Sequence, residues 1–282
     1  MIQERMDGLM EKENGPARRR PASLIAKPNP HSRVGRVVGV VSGKGGVGKS
    51  LVTALLAVLL RRRGLGTGVL DADITGPSIP KMFGLHEKAV GNSEGIFPAK
   101  TAAGIQIISS NLLLADESTP VVWRGPLVSG MVRQFWTDVI WKDVDCLLVD
   151  MPPGTGDVPL TVFQSLPIDG IVVVTSPQGL VSMIVSKAVN MAKMMGVPIV
   201  GIVENMSYAV CPHCGEKIRV FGDSHAEETA RRYGLRLLDR VPLDPGVAEK
   251  CDAGRVEEIE APWLKQTAEA VARLKKRERR QP

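Results

Sequence analysis

Short, unbroken aliphatic runs punctuate the chain, with longer segments of mixed polarity between them. Val37-Val38-Gly39-Val40-Val41 is the first, followed by Thr67–Leu70, Ile105–Ile108, Cys146–Val149, Ile171–Val174 and Ile199–Val203. Each is bounded by Gly, Pro or Asp and rich in β-branched residues, which predicts strands. Lys49–Arg63, Val128–Ile140 and Leu180–Met195 have the length of helices, and a last helix is expected from about Trp263 to Arg277. A strand that is aliphatic at every position is covered on both faces, so the sheet is expected to be parallel with helices on either side. The right-handed crossover rule then gives a wound, mostly parallel α/β domain with its site at the carboxyl ends of the strands. Two stretches break the rhythm. Residues 1–33, with Pro16, Pro21, Pro28 and Pro30 and few large apolar side chains, read as a flexible leader. Tyr208–Phe221 interrupts the alternation with two cysteines. A single domain over 34–277 is expected, followed by a basic tail at 278–282.

Composition narrows the class of function. With 44% hydrophobic and 23% charged residues in 282, the chain has ordinary globular usage. Its apolar segment Leu51–Leu60 stops at Arg61-Arg62-Arg63, well short of the about 18 residues of a bilayer span, so no stable membrane association is expected. The net charge of +6 is mild, and much of it lies in Arg18-Arg19-Arg20 and in the Arg273–Arg280 segment. A solvated helix end is the favoured reading of that segment, and 4% aromatic residues leave few platforms for stacking bases. No nucleic-acid partner is expected. Glu4, Asp7, Glu11 and Glu13 do not suit a transit peptide, and four cysteines do not make a secreted disulfide scaffold, so the expected compartment is cytoplasmic.

The first strand runs directly into Gly43-Lys44-Gly45-Gly46-Val47-Gly48-Lys49-Ser50, which fits G-x-x-x-x-G-K-[ST] and leads straight into a helix. Glycines let such a loop curl so that its N–H groups face phosphate oxygens, and the helix N-terminus adds partial positive charge. Lys49 is placed to neutralise the β- and γ-phosphates of ATP, and Ser50 to ligate Mg²⁺. Lys49 is expected to be exposed to ligand rather than packed. Two further strands end in carboxylates. Leu147-Leu148-Val149-Asp150 offers an acid beside the loop for Mg²⁺, and continues as Met151-Pro152-Pro153-Gly154-Thr155-Gly156-Asp157, whose glycines can turn N–H groups toward a γ-phosphate. The second strand ends Asp71-Ala72-Asp73, and one of these carboxylates can orient the attacking water.

The extra lysine, Lys44, makes this loop resemble the deviant Walker A of the MinD/ParA and nitrogenase-iron-protein class of P-loop NTPases. In that class the first lysine reaches across a dimer to the partner's nucleotide. Asp71–Ser78, Trp123-Arg124-Gly125-Pro126, Asp150–Asp157 and Glu204-Asn205-Met206-Ser207 look more closely like the Mrp/ApbC iron–sulfur carrier ATPases, over about residues 34–275. That resemblance implies a homodimer that binds and slowly hydrolyses ATP and carries a transferable [4Fe–4S] cluster to apo iron–sulfur proteins. It also implies Asp73 as the hydrolytic carboxylate and Asn205 as an adenine contact. The nitrogenase iron protein itself is disfavoured, because it places a ligand cysteine where this chain has Met151-Pro152-Pro153. Some relatives carry an extra N-terminal domain or a four-cysteine site there, and this leader has neither. A positioning or partitioning ATPase, supported by the basic C-terminus, is one alternative, and an ATPase with a structural zinc on Cys211 and Cys214 is the other.

Cys211-Pro212-His213-Cys214-Gly215 admits three readings. A redox dithiol of this form begins a helix, whereas Gly215 and a strand-like Ile218–Phe221 follow here. A turn presenting two thiolates to a metal suits both zinc and an iron–sulfur cluster, and each normally takes four ligands. His213 is expected to face solvent. Cys146 reads as a core residue and Cys251 as an inert or exposed thiol. Completing four sulfurs then points to a second chain, with Cys211 and Cys214 meeting their copies across a two-fold axis.

Overall fold

Every aliphatic run identified above is a strand, and the runs lie side by side in one sheet. The structure, a computed structural model, describes residues 25–74, 76–113, 125–178 and 181–276. In chain order its elements are β1 (Val34–Ser42), α1 (Lys49–Arg62), β2 (Thr67–Asp71), α2 (Ile79–Met82), β3 (Val90–Asn92), β4 (Gly95–Phe97), β5 (Ala99–Lys100) and β6 (Gln106–Ile108). There follow α3 (Gly125–Thr137), β7 (Val144–Asp150), α4 (Asp157–Ser165), β8 (Gly170–Thr175), α5 (Val181–Met194) and β9 (Ile199–Glu204). The last are β10 (Ala209–Val210), β11 (Lys217–Ile218), α6 (Ala226–Arg232), β12 (Leu237–Arg240), α7 (Pro245–Asp252) and α8 (Lys265–Arg273).

The sheet order is β12-β9-β8-β1-β7-β2-β6-β5, parallel throughout except for β5, which runs antiparallel to β6. This is the wound α/β domain that the pattern implied. Successive residues of the central strands feed opposite cores, as a two-sided sheet requires. Leu147, Val149, Ile171 and Val173 pack under α3, α4 and α5, whereas Cys146, Leu148, Val172 and Val174 pack under α1 and α8. The register sets Val40 of β1 and Asp71 of β2 on either side of Asp150 in β7, which gathers two carboxylates at the carboxyl end of the sheet.

Several expectations need correction at their edges. The third strand begins at Gln106 rather than Ile105, and α3 spans Gly125–Thr137 rather than Val128–Ile140. The last helix is split into a 3-10 turn at Pro262–Leu264 and α8, which ends at Arg273. The strand after the cysteines covers only Lys217–Ile218. Part of the leader is docked, not flexible. Ala26 N–H donates to Ser165 O at 3.0 Å while its carbonyl accepts from Trp136 Nε1 at 2.9 Å, and the Asn29 side chain, 4% exposed, donates to Glu94 O at 2.9 Å. Residues 1–24, Thr75, the Trp123-Arg124 pair and the tail from residue 277 lie outside the described residues. Among the described residues no helix is long and apolar enough to cross a membrane.

Candidate functional site

The loop between β1 and α1 is shaped by close approach as much as by turn chemistry. Gly48, the cap of α1, has φ +75°, and a Cβ there would stand 2.1 Å from Asn205 Nδ2. A Cβ on Gly43 would meet Ile184 of α5 at 2.5 Å. Both positions therefore exclude larger side chains. The loop borders a cavity of about 330 Å³ lined by Gly45–Ser50 together with Asp73, Ser78 and Pro153.

Behind the lining residues Lys49 and Ser50 lies Asp150, 0% exposed. Lys49 Nζ donates to its Oδ1 at 2.7 Å and stands 3.9 Å from Asp73 Oδ2. Ser50 Oγ donates to Asp150 Oδ2 at 2.5 Å, and Thr53 Oγ1 donates to Oδ1 at 3.0 Å. Lys49 is thus packed on a buried acid, 5% exposed, against the expectation that it faces ligand freely. The reason is electrostatic: a carboxylate buried at a strand end needs a cation, and Lys49 in the first turn of α1 is in reach. Thr53 completes the arrangement and was missed in the sequence. Its signal was legible, since it lies one helical turn beyond Lys49 on the same face.

The two acids of Asp71-Ala72-Asp73 separate into different environments. Asp71 is buried beside Asp150 and accepts from Ser109 Oγ at 3.0 Å and from Asp73 N–H at 3.2 Å. Burial first, then the charge of Asp150, raises its carboxyl well above the usual carboxylate range. Asp73 lines the cavity and Asp71 does not. Gly154, φ +88°, donates its N–H to Ser42 O at 3.1 Å, and Gly156 caps α4. The backbone of Asp157 opens α4, and its side chain lies outside the described residues.

Lys44 does not enter the cavity. Its Nζ donates to Gln178 Oε1 after β8, on the exposed side of the loop. Asn205, 1% exposed, lies behind the loop: its Nδ2 donates to Val47 O at 2.8 Å and its N–H to Thr175 O at 2.8 Å.

The cysteines occupy a separate antiparallel hairpin. Val210 of β10 pairs with Lys217 of β11, so residues 211–216 form the turn. Cys211 N–H donates to Glu216 O and Gly215 N–H to Cys211 O, each at 2.9 Å, and Gly215 adopts φ +75°. Cys211 is half-buried, Cys214 exposed, and both are free thiols. The N–H of Cys214, then that of His213, points at the Cys211 sulfur and lowers its pKa below the usual thiol range. The turn carries both thiols at one tip of the hairpin, and no helix starts at it. Cys146, fully buried, has its thiol pushed up to about 12 by desolvation. Cys251 is buried in α7 and its pKa is also raised by desolvation, which fits the inert alternative of the two expected and not the exposed one. Among the described residues no three His, Cys, Asp or Glu side chains converge as a metal site, so His213 does not complete one.

Comparison with known proteins agrees with this geometry. Residues 33–277 match the ParA family of NUBPL iron-transfer P-loop NTPases. The iron-sulfur cluster carrier protein of Clostridium perfringens is 48% identical over 239 residues, covering 82% of this chain and 84% of that one. A solved structure of the nucleotide-binding protein of Archaeoglobus fulgidus, in complex with ADP, is 44% identical with a TM-score of 0.75, covering 82% of this chain and 91% of that one. The MinD cell division protein of Aquifex aeolicus, at 18% identity and a TM-score of 0.55 over 85% of this chain and 96% of its own, shares the fold.

Proposed function

The chain belongs to the ParA family of NUBPL-type iron-transfer P-loop NTPases, and from that premise we propose that it is an ATP-hydrolysing carrier whose cargo is a [4Fe–4S] cluster. Two copies hold the cluster between them on Cys211 and Cys214 and deliver it to apo iron–sulfur proteins. One observation carries the reading. A single chain places a P-loop lysine and serine on a buried strand-end acid, and separately presents two thiols in a knuckle with no third ligand side chain among the described residues. A cluster that takes four thiolates then needs a second knuckle, which a two-fold dimer supplies.

The nucleotide half works through this chain's own groups. Backbone N–H groups of Gly45–Ser50 bind the phosphates at the start of α1, and Lys49 leaves Asp150 to neutralise the β–γ region. Ser50 Oγ, which lines the cavity, and Asp150 Oδ2 behind it, 2.5 Å apart, are hard oxygen donors of the kind that Mg²⁺ takes. When bound, Mg²⁺ neutralises charge between the phosphates. Asp73 accepts a hydrogen bond from the water that attacks the γ-phosphorus as the bond to the β-phosphate oxygen breaks. Lys44, on the exposed side of the loop, is placed to leave Gln178 for the nucleotide of the second copy. Asn205 fixes the loop from behind through Val47 O, and the adenine contact that resemblance implies for it stays part of this proposal.

The test is transfer of iron and sulfide from the anaerobically reconstituted protein to an apo-ferredoxin-type acceptor, with and without Mg·ATP. Acceptor activation that depends on Cys211 and Cys214 and responds to ATP is expected, and Lys44→Ala reduces the ATP response more than it reduces ATP affinity. Colourless protein holding zinc, or an acceptor that stays inactive, overturns the reading.

A further inference from the structure

Glu204 ends β9 with its side chain 0% exposed, and no role in phosphate or metal chemistry accounts for burying a carboxylate there. Its partners explain it. Ser207 Oγ donates to Oε2 at 2.5 Å, Ser224 Oγ donates to Oε1, and Arg240 Nε stands 3.7 Å from Oε2. Ser207 immediately precedes the cysteine-bearing segment 208–223, and Ser224 immediately follows it. One carboxylate therefore closes both ends of the excursion that carries Cys211 and Cys214. Ser224 Oγ also accepts from Ala226 N–H at 3.2 Å, which ties the same point to α6.

The neighbouring residue holds the nucleotide loop. Asn205 Nδ2 donates to Val47 O, and its contact with Gly48 is so close that a Cβ there would be 2.1 Å away. Little slack separates the two grips. The backbone at Glu204 is paired on both sides, with Thr175 of β8 and Arg240 of β12, and Met206 is locked at φ +56°. Ser207 N–H donates to Val241 O and Val241 N–H to Glu204 O, at 2.9 and 2.8 Å. A cavity of about 890 Å³ opens between the hairpin and β12, lined by Ser207, Tyr208, Lys217, Ser224 and Arg240, so the hairpin has room to move relative to the sheet about its clasped base.

We propose that Glu204 is a positioning residue that makes the cysteine segment follow the P-loop: a shift of the Val47–Gly48 backbone on nucleotide binding passes through Asn205 to Glu204, and from its carboxylate to both ends of the segment. This deepens the carrier reading and rests on it for its purpose, but the linkage exists in one metal-free chain. Coupling between two sites requires a connected element whose arrangement both sites bias, and the clasp is that element.

The experiment measures the alkylation rates of Cys211 and Cys214 by a maleimide, read by peptide mass spectrometry on metal-free protein, with and without Mg·ATP. In the unaltered chain ATP changes the rate at one or both thiols by about fivefold or more. Ser224→Ala removes one arm of the clasp without touching thiol or nucleotide, and reduces that ATP effect to less than about twofold while ATP affinity stays within twofold. Ser224→Thr, which keeps the hydroxyl, restores it. Glu204→Gln retains the volume but loses one acceptor, and behaves like Ser224→Ala. Thiol rates indifferent to ATP in the unaltered chain, or a full ATP effect surviving in both Ser224→Ala and Glu204→Gln, overturn the proposal. A changed ATP affinity in Ser224→Ala also overturns it, by assigning the clasp to nucleotide binding itself. No cluster enters the measurement, so failure of the carrier reading leaves its result unaltered.

Discussion

Replacing Lys49 by alanine removes the cation from a carboxylate that has no access to water. Asp150 is 0% exposed and Lys49 5%, so solvent screens little of the loss. Breaking a buried pair on one side costs about 3–5 kcal/mol. Ser50 and Thr53 still donate to Asp150, at 2.5 and 3.0 Å, which places the expected loss at the lower end, about 3 kcal/mol. For a chain of this size that is a fall of about 6 °C or more in Tm. Stability of folded domains runs to about 5–15 kcal/mol, so the variant remains folded at 25 °C. The assay is urea and thermal unfolding of the nucleotide- and metal-free protein by far-UV circular dichroism at pH 7. The double variant Lys49→Ala/Asp150→Asn removes the orphaned charge as well, and is expected to recover about half of the loss. A single variant within about 0.5 kcal/mol of the unaltered chain, or a double variant less stable than the single one, would refute the reasoning.

Three further outcomes follow from the same geometry. Asp73→Asn keeps Mg·ATP affinity within about twofold and lowers phosphate release by about a hundredfold, measured by a coupled phosphate assay; unchanged turnover moves the water-orienting role elsewhere. Asp71 has a folded pKa raised above its unfolded value, so the stability it contributes is complete in acid and is lost as pH rises through the folded pKa. Asp71→Asn abolishes that loss, and its urea midpoint is expected to rise relative to the unaltered chain as pH climbs above the ordinary carboxylate range, whereas a parallel pair of profiles contradicts the assignment. Native, metal-free protein treated with iodoacetamide is expected to label at Cys211, whose thiol is lowered, and at exposed Cys214, but not at Cys146; peptide mapping reads the sites.

The parts legible in the sequence were those encoded by neighbouring residues. The central strands announced themselves because both of their faces are buried, and the P-loop because its chemistry lies within one turn. β12 carries only two apolar residues, Leu237 and Leu238, at the sheet edge, and β5 is Ala99-Lys100, so neither left a pattern to read. Docking of Ala26 and Asn29 was hidden for a different reason: it is their backbone N–H groups that are held there, by the distant carbonyls Ser165 O and Trp136 O. At the site, Lys44, Lys49, Asp73 and Asp150 could be nominated, but not the choice of Asp150 as the partner of Lys49, which depends on the β1–β7–β2 register. The Glu204 clasp was illegible because Ser207 and Ser224 meet on it only after the hairpin has folded back.

Cluster stoichiometry tests the central claim most directly. The protein is reconstituted with iron and sulfide without oxygen, its iron, sulfide and mass in solution are measured together, and ATP binding is titrated alongside. The account predicts brown protein with one [4Fe–4S] for every two chains, and, in Cys211→Ala/Cys214→Ala, loss of the cluster with ATP affinity retained. A double variant that still carries one cluster per pair of chains, or an unaltered chain that binds a full cluster as a monomer, would contradict it.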